Sequence, residues 1–330
     1  MKYLAWSCLF ILSCWAILGY WIAPDNSYLA AQQIPELAQK PPFYSTFLAI
    51  AKKQKTSFLE TLWKGKNSSE VWVLNPQKPC QELLQDSLLL FLKDGSTLTI
   101  AKKDLEHQKP VLFTFYLGSD PLGRDILSRL IIGTRYSLGI SLLAMGITLF
   151  LGVSLGLIAG YFEGLLDQVI SWLMNVLWAL PSTLLALAIA FVIGKGFFTL
   201  VIAISSVLWI DIARLVRLET LRLKENDYIK AAQTLGFSQW RIIFVHLFPN
   251  LIPSIMVISF STFTTALILE GSLSFLGLGV TPPAPSWGTL IFDGFYYIAL
   301  STGKWLLFAP ATCLILTVLT LQYFAEQLKT

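Results

Sequence analysis

Residue types that commonly carry chemistry are scarce in this sequence. Among its 330 residues are two histidines and four cysteines. His107 and His246 lie far apart along the chain, so neither a zinc site nor a histidine-based catalytic triad is indicated. Three cysteines lie in apolar stretches and only Cys80 lies in a polar one, and we therefore expect no disulfide framework.

A phosphate-binding loop is also absent from the sequence. No segment fits the pattern G-x-x-x-x-G-K-[ST], whose backbone amides and lysine cradle nucleotide phosphates in many ATPases. Any nucleotide hydrolysis must therefore come from another chain. We expect that this protein is not an enzyme, and that it has no catalytic residue, no cofactor and no bound metal.

Charged residues make up only 13% of the chain, compared with about 25% in soluble domains. Hydrophobic residues make up 55%, and the mean hydropathy is +0.64. This composition is typical of an integral membrane protein, in which a helix of ~20 apolar residues crosses the bilayer. The six predicted spans are 3–24, 136–162, 168–194, 196–210, 247–269 and 305–325. A further uncharged run over 271–292 is rich in proline and glycine, which predicts a broken or re-entrant segment.

The predicted topology follows from the loop between the fourth and fifth spans, because basic residues in short loops accumulate on the cytoplasmic side. The basic residues of this loop are Arg214, Arg217, Arg222, Lys224, Lys230 and Arg241. Six spans then place both termini in the cytoplasm. The sequence divides into a first transmembrane helix (1–24), an extracytoplasmic insertion (25–116) and a five-helix core (117–330) with a cytoplasmic loop over 218–249.

The insertion has an ordinary polar composition. An amphipathic stretch over 44–63 predicts a helix, and β-like runs over 71–74 and 87–92 predict strands. Residues Lys93–Ser96 form a good hairpin turn into a further strand over 97–100. The predicted fold class is therefore an all-α integral membrane protein with six transmembrane helices and a small α+β insertion after the first of them.

The N-terminal residues 1–31 allow a second interpretation, in which they are a cleaved secretory signal. Leu29-Ala30-Ala31 supplies small residues of the kind found at a cleavage site. The apolar run is longer than the 7–15 residues of a signal core, which favours a retained helix. Both interpretations stay open at this point.

The segment 227–253 predicts two short helices joined by a glycine turn, set between two apolar spans. Asp227 can cap a helix that runs through Leu235, and Gly236 suits the left-handed position at its end. Ser238 can cap a second helix, which should stop near Phe248 because Pro249 follows. Such a polar knob can dock a partner, or it can be a structural connector.

A helix-turn-helix DNA reader has the same outline, because there the second helix enters the major groove. The second helix here offers Ile242, Ile243, Phe244 and Val245. These side chains cannot hydrogen-bond to base edges. The pattern therefore argues against nucleic-acid binding.

This knob resembles the cytoplasmic loop of the integral membrane subunits of ABC importers. Their loop has the pattern EAA, three residues, Gly, nine residues, I-x-L-P, and Ala231, Ala232, Gly236 and Pro249 stand at those spacings. Lys230 stands where the family has Glu. The resemblance implies that residues 227–249 are the element that couples the permease to its ATPase subunits.

Two further blocks resemble the dipeptide, oligopeptide and nickel branch of this family, in particular its C-type permeases. They are LGSDPLGRDILSRLIIGTRYSL from Leu117 and LEGSLSFLGLGVTPPAPSWGTLI from Leu269. The residues that carry the signatures are Asp120, Gly123, Arg124, Asp125, Arg129, Glu270, Pro282 and Trp287. The resemblance does not extend to the insertion.

Physical interpretations can be attached to some of these residues. Asp120 and Asp125 can cap or begin a helix, whose positive end favours carboxylates. We expect Arg124 and Arg129 on a solvated, outer interfacial face without substrate contact. Glu270 ends the fifth span, where a carboxylate usually faces protein or water, and it has a functional or a structural role.

Glycines at four-residue spacing in the second span predict a helix face that a neighbouring helix can approach closely. They are Gly152, Gly156 and Gly160. We expect this face to pack within a pair of permeases. Pro181 in the third span can produce a kink of the kind that suits a moving pathway, although such a proline is more often merely tolerated.

The resemblance implies the type I ABC importer permease fold in a bacterial inner membrane. It also implies partners: a second permease in a heterodimer, two ABC ATPases and an extracytoplasmic solute-binding protein. The spans offer no clustered metal ligands, which favours a peptide as the solute. A nickel complex is the alternative, and a non-transporting membrane scaffold or channel is the rival from another class.

Overall fold

The computed structural model describes residues 2–52, 61, 65–66, 70–83, 87–299 and 303–328. The chain divides into two compact units. The first contains Met1–Leu9, Ser137–Thr281 and Leu314–Thr330, and the second contains Phe10–Tyr136 and Pro282–Cys313. Each unit is described by itself below.

Long apolar helices dominate the structure. The helices in chain order, long and short, are α1 (Lys2–Ile22), α2 (Ile126–Phe162), α3 (Gly164–Trp178), α4 (Ser182–Ile193), α5 (Phe197–Lys224), α6 (Asp227–Thr234), α7 (Gln239–Leu278), α8 (Trp287–Tyr296) and α9 (Gly303–Gln327). Within the described residues, α2, α5, α7 and α9 are long and apolar enough to cross a membrane. Helices α3 and α4 meet at 90° and would form a fifth span if they count as one. The number of six spans stays a prediction.

The break between α3 and α4 falls at the proline that the sequence singled out. Pro181 directly precedes Ser182 and holds the N-cap position of α4. A proline has no amide proton to continue the preceding helix, and its fixed φ suits the start of a new one. The kink predicted in this region is therefore present, as a break of 90° between two helices.

Two antiparallel three-stranded sheets lie between α1 and α2. The strands are β1 (Tyr44–Ile50), β2 (Val71–Val73), β3 (Cys80–Leu83), β4 (Ser87–Phe91), β5 (Thr97–Ala101) and β6 (Val111–Phe115). Their spatial orders are β2-β1-β6 and β3-β4-β5. The predicted hairpin is present, because β4 and β5 pair across it with Phe91 opposite Thr97.

The helix that we predicted from residue 44 is wrong where the structure describes it. Tyr44–Ile50 is β1, the central strand of the first sheet, while 53–60 and 62–64 lie outside the described residues. The reason is that β1 is buried on both faces: Leu48 packs in one apolar core and its neighbour Ala49 in another. Such a strand has no alternating pattern, and short apolar runs do not distinguish it from a helix.

The glycine face of α2 packs against α5 of the same chain. A Cβ atom at Gly156 would lie 2.6 Å from the Ala213 carbonyl oxygen, and one at Gly152 would lie 2.9 Å from the Trp209 carbonyl oxygen. A Cβ atom at Gly160 would likewise lie 2.8 Å from the Arg217 carbonyl oxygen. Our assignment of this face to a pair of permeases was wrong, because α5 occupies it.

We expect Gly156→Ala to separate α2 from α5. The added methyl group cannot fit beside the backbone of α5, and overpacking of this kind costs ~1–3 kcal/mol. Gly146→Ala is the matched control on the same helix, since a Cβ there meets nothing within 4 Å. Thermal unfolding of the purified protein should show a lower midpoint for Gly156→Ala alone, and equal midpoints would contradict this packing.

Candidate functional site

The knob consists of α6, a glycine turn and the first turns of α7. Asn226, rather than the predicted Asp227, holds the N-cap position of α6, and Asp227 lies in the first turn, where its charge favours the helix. Gly236 has φ +77°, the left-handed conformation that we predicted. Ser238 holds the N-cap position of α7, also as predicted. The local sequence therefore determined this turn.

The inner side of the knob is packed into an apolar core that belongs to α2 and α5. Ile229 and Ala232 of α6 and Ile242 of α7 are buried there. They share this core with Leu157, Tyr161, Ile212, Val216, Ile243, Leu247 and Leu251. A displacement of the knob must therefore move the adjacent parts of α2 and α5 with it.

The second helix of the knob does not stop near Phe248, and this part of the prediction was wrong. Helix α7 continues through Pro249 and Pro253 to Leu278. A π-helical turn over Ile242–Leu247 precedes Pro249. In such a wide turn the hydrogen bonds span five residues, which accommodates both the missing proline amide and the proline ring. The knob is thus continuous with a long apolar helix.

Side chains of His246 and Asn250, which flank Pro249, hold the knob together. The Asn250 side-chain amide donates to the His246 carbonyl oxygen at 2.6 Å and to the Tyr228 hydroxyl at 3.4 Å. The His246 ring stacks on Phe237, with 6.2 Å between ring centroids. Tyr228 and Phe237 were missed by the sequence analysis, because no local pattern indicates which partner a ring will meet.

The outer side of the knob is exposed and presents apolar side chains among polar ones. Lys230, Ala231, Gly236 and Pro249 are exposed, whereas Ala232 is buried. Leu235 is 73% exposed and Trp240 is 59% exposed, and the Trp240 ring stacks on Phe244. Exposed apolar side chains grouped in this way are typical of a surface that binds another protein.

Two ion pairs fix the helix ends next to the knob. The Arg217 guanidinium contacts Asp167 with two nitrogens, one of them at 2.7 Å, and joins α5 to α3. The Lys224 ammonium donates to the Tyr161 carbonyl oxygen and to a Glu163 carboxylate oxygen, both at 2.8 Å. These bonds tie the end of α5 to the turn between α2 and α3.

Several polar side chains of α3 and α5 lie together near the end of α3. Arg214 donates to the Asn175 side-chain oxygen at 3.1 Å, and its guanidinium lies 4.4 Å from the Trp178 ring centroid. Asp211 lines a neighbouring cavity of about 220 Å³ together with Trp178 and Ser182. Polar side chains on helices of this hydropathy usually face protein or a water-filled path.

The signature segment before α2 forms a buried charge cluster in the second unit. The Asp120 carboxylate accepts from Arg124 Nε at 2.6 Å and from Arg129 Nη1 at 3.0 Å. Backbone amides of Leu122 and Arg124 also donate to it, both at 2.9 Å. Arg129 additionally lies 3.6 Å from Asp293 of α8, a partner that the sequence did not reveal.

These positions correct our placement of the two arginines on a solvated interfacial face. Arg124 is 8% exposed and Arg129 is 3% exposed. The reason is their shared partner, because Asp120 is fully buried and draws both guanidinium groups inward. Asp120 also does not cap α2. Asp125 does this, since its carboxylate accepts from the backbone amide and the hydroxyl of Ser128.

Other signature residues support the same region. Gly123 has φ +75°, and a Cβ there would lie against the Ile34 carbonyl oxygen, so only glycine fits. Trp287 is fully buried and donates its indole N–H to the Leu130 carbonyl oxygen at 3.3 Å. Pro282 is exposed and is joined to Pro283 by a cis peptide bond.

Glu270 belongs to the first unit. Its carboxylate is fully buried in α7 and accepts from the Ser274 hydroxyl at 2.8 Å. The expectation that it faces protein rather than lipid is confirmed. The described contact lies within one helix, which fits a structural role and leaves a functional role untested.

Comparisons with known proteins agree on one family. The family model described as the binding-protein-dependent transport system inner membrane component matches residues 152–329. The oligopeptide transport system permease protein OppC of Bacillus subtilis is 38% identical over 236 residues, which cover 72% of this chain and 75% of that protein. The glutathione transport system permease protein GsiD of Pectobacterium atrosepticum is 37% identical over 214 residues, which cover 65% of this chain and 70% of that protein.

A solved structure shares the fold. The matching chain comes from inward-facing conformations of the MetNI methionine ABC transporter. It has a TM-score of 0.51 and 16% sequence identity, and the match covers 60% of this chain and 93% of that chain. At this identity the likeness concerns the fold alone, which is the type I ABC importer permease fold expected from the sequence.

The buried charge cluster predicts that neutralising Asp120 lowers the stability of the protein much more than neutralising an exposed carboxylate. Asp120→Asn leaves two buried guanidinium groups without their carboxylate, and breaking a buried ion pair costs ~3–5 kcal/mol. Glu82→Gln is the matched control, because Glu82 also contacts two cations, Lys102 and Lys109, but on the exposed surface. Chemical denaturation of the purified protein should show a much lower free energy of unfolding for Asp120→Asn and little change for Glu82→Gln.

Proposed function

The chain belongs to the family of binding-protein-dependent transport system inner membrane components, the permease subunits of ABC importers, and we propose that the solute it passes is a peptide. The named relatives support this choice, because they are permeases for oligopeptides, di- and tripeptides, and glutathione. The observation that carries the transport role is the knob, which exposes Leu235 and Trp240 on one side and is packed against two long helices on the other.

The proposed role of residues 227–249 is to couple this permease to ATPase subunits. The exposed Leu235, Trp240 and Phe244 offer the apolar contact area that a partner's groove can cover. The buried Ile229 and Ile242 pass the resulting displacement to α2 and α5. Closure of the ATPase pair on ATP would then rock the helices between inward-open and outward-open states.

The proposal also includes the partner subunits of the transporter and the topology of this chain in the membrane. This permease would pair with a second permease, with two ABC ATPases and with an extracytoplasmic solute-binding protein, in a bacterial inner membrane. Six spans would place both termini and the knob in the cytoplasm. Residues 25–116, with their two small sheets, would then form an extracytoplasmic insertion. The rocking motion requires the knob to be rigid, which the packing of α6 on α7 supports.

Gly236→Val should disturb the contact between the knob and the ATPase subunits, and so lower both transport and ATPase activity, without preventing membrane insertion. The left-handed conformation costs a β-branched residue ~1–2 kcal/mol, so the turn that orients α6 on α7 should distort. Gly95→Val is the matched control, since Gly95 has φ +89° in the hairpin of the second sheet and also has open space around its Cα. Uptake and ATPase activity of the reconstituted transporter should fall for Gly236→Val only.

The solute can be tested by uptake in cells that lack this gene. We expect loss of labelled di- and oligopeptide uptake, with nickel uptake unchanged, and recovery when the gene is restored. A permease that follows its named relatives should behave in this way. Loss of nickel uptake alone would assign the chain to the alternative solute, and loss of neither would favour a non-transporting role.

A further inference from the structure

A cavity of about 170 Å³ lies in the second unit, between the first sheet and the segment before α2. One wall is apolar and comes entirely from the first sheet: Leu48, Ile50, Val71, Val111, Phe113 and Phe115. The rest of the lining includes the two carboxylates Asp25 and Asp125. The cavity therefore combines an apolar wall with an acidic end, which is the general form of a small-molecule site.

The acidic end is built around Ser128. Its hydroxyl accepts from the Asp25 backbone amide at 2.8 Å and donates to Asp125 Oδ2. The Asp125 residue is 3% exposed, and its other oxygen, Oδ1, is buried and accepts no hydrogen bond from the described residues. A buried carboxylate oxygen in this situation is costly, and a donor from a bound molecule would offset that cost.

The charges around the cavity favour a cation. Glu106 is already paired with Lys66 at 2.9 Å, and Arg124 is held by Asp120 at 2.6 Å. Burial, and secondarily the negative charge of Asp25, raise the pKa of Asp125 to about 6, so it is still ionised at neutral pH. A positive charge beside Asp125 would stabilise its ionised form.

We propose that this cavity binds a small organic cation: a protonated primary or secondary amine on an apolar body. A small shift of the Asp125 side chain would let the ammonium group donate to Oδ1, and the body would lie against the sheet wall of Phe113 and Leu48. The apolar wall does not suit a bare metal ion, which needs several oxygen ligands. The volume equals that of about six water molecules, which limits the ligand to roughly six to nine non-hydrogen atoms.

The proposal is tested on the full chain in lipid nanodiscs by calorimetric titration at pH 7.5. The probes are 3-methylbutylammonium and benzylammonium, and the neutral comparisons are 3-methylbutan-1-ol and benzyl alcohol. We expect saturable binding of the ammonium probes, with the alcohols at least tenfold weaker. Equal affinity for an amine and its alcohol, or no binding of either amine up to millimolar concentration, overturns the proposal. The readout is binding, so it does not depend on the transport function.

Asp125→Asn is the decisive variant, because asparagine keeps the N-cap of α2 while it removes the charge. We expect its affinity for both amines to fall at least tenfold. Asp94→Asn is the matched control, since Asp94 also bonds to a serine, Ser96, but lies exposed in the hairpin. Unchanged affinity in Asp125→Asn contradicts the site. If that variant does not fold, Asp25→Asn must show the loss instead.

The pH dependence of binding gives an independent check. As pH falls through about 6, protonation of Asp125 should weaken binding of the amines. Asp25, Glu106 and His107 also line the cavity and can titrate, so the wild-type curve alone is not sufficient. The part of the curve that belongs to Asp125 should disappear in Asp125→Asn, and an identical curve in that variant counts against the proposal.

Discussion

The close contact between α2 and α5 determines the arrangement around the knob. Because Gly152, Gly156 and Gly160 present only backbone, α5 approaches to van der Waals distance over two turns. This contact brings Tyr161 to the end of α5, where its carbonyl oxygen accepts from Lys224. The core that buries the inner side of the knob starts at the same place. Because no side chains separate α2 from α5 here, the two helices support the knob together.

Buried charge has the corresponding role in the second unit. A fully buried Asp120 between two guanidinium groups is expensive to desolvate, and such a cluster is retained where it specifies one conformation. Here it holds the chain that enters α2, and Arg129 carries the contact on to Asp293 of α8. Trp287 adds an apolar contact and a hydrogen bond to the same end of α2. In the geometry observed, Asp120, Arg129 and Trp287 therefore support the start of α2.

Much of the knob could be predicted because its determinants are local. The position of Gly236 and the N-cap position of Ser238 follow from backbone preferences of single residues. The continuation of α7 through Pro249 could not be predicted, because it depends on a π turn that tertiary packing stabilises. The same limit applies to β1, which is buried on both faces and therefore lacks the alternation that identifies a strand.

The sequence by itself determined the membrane class, the family and the glycine turn, because hydropathy and turn preferences act over a few neighbouring residues. It also placed small residues at helical spacing in α2, but not the helix that they meet. Only the tertiary structure decided that α5 fills this face, that Arg124 and Arg129 are buried around Asp120, and that Asp25 and Asp125 share a cavity. These contacts join residues far apart in the chain, and the strength of a charge or a clash depends on a partner that no local pattern identifies.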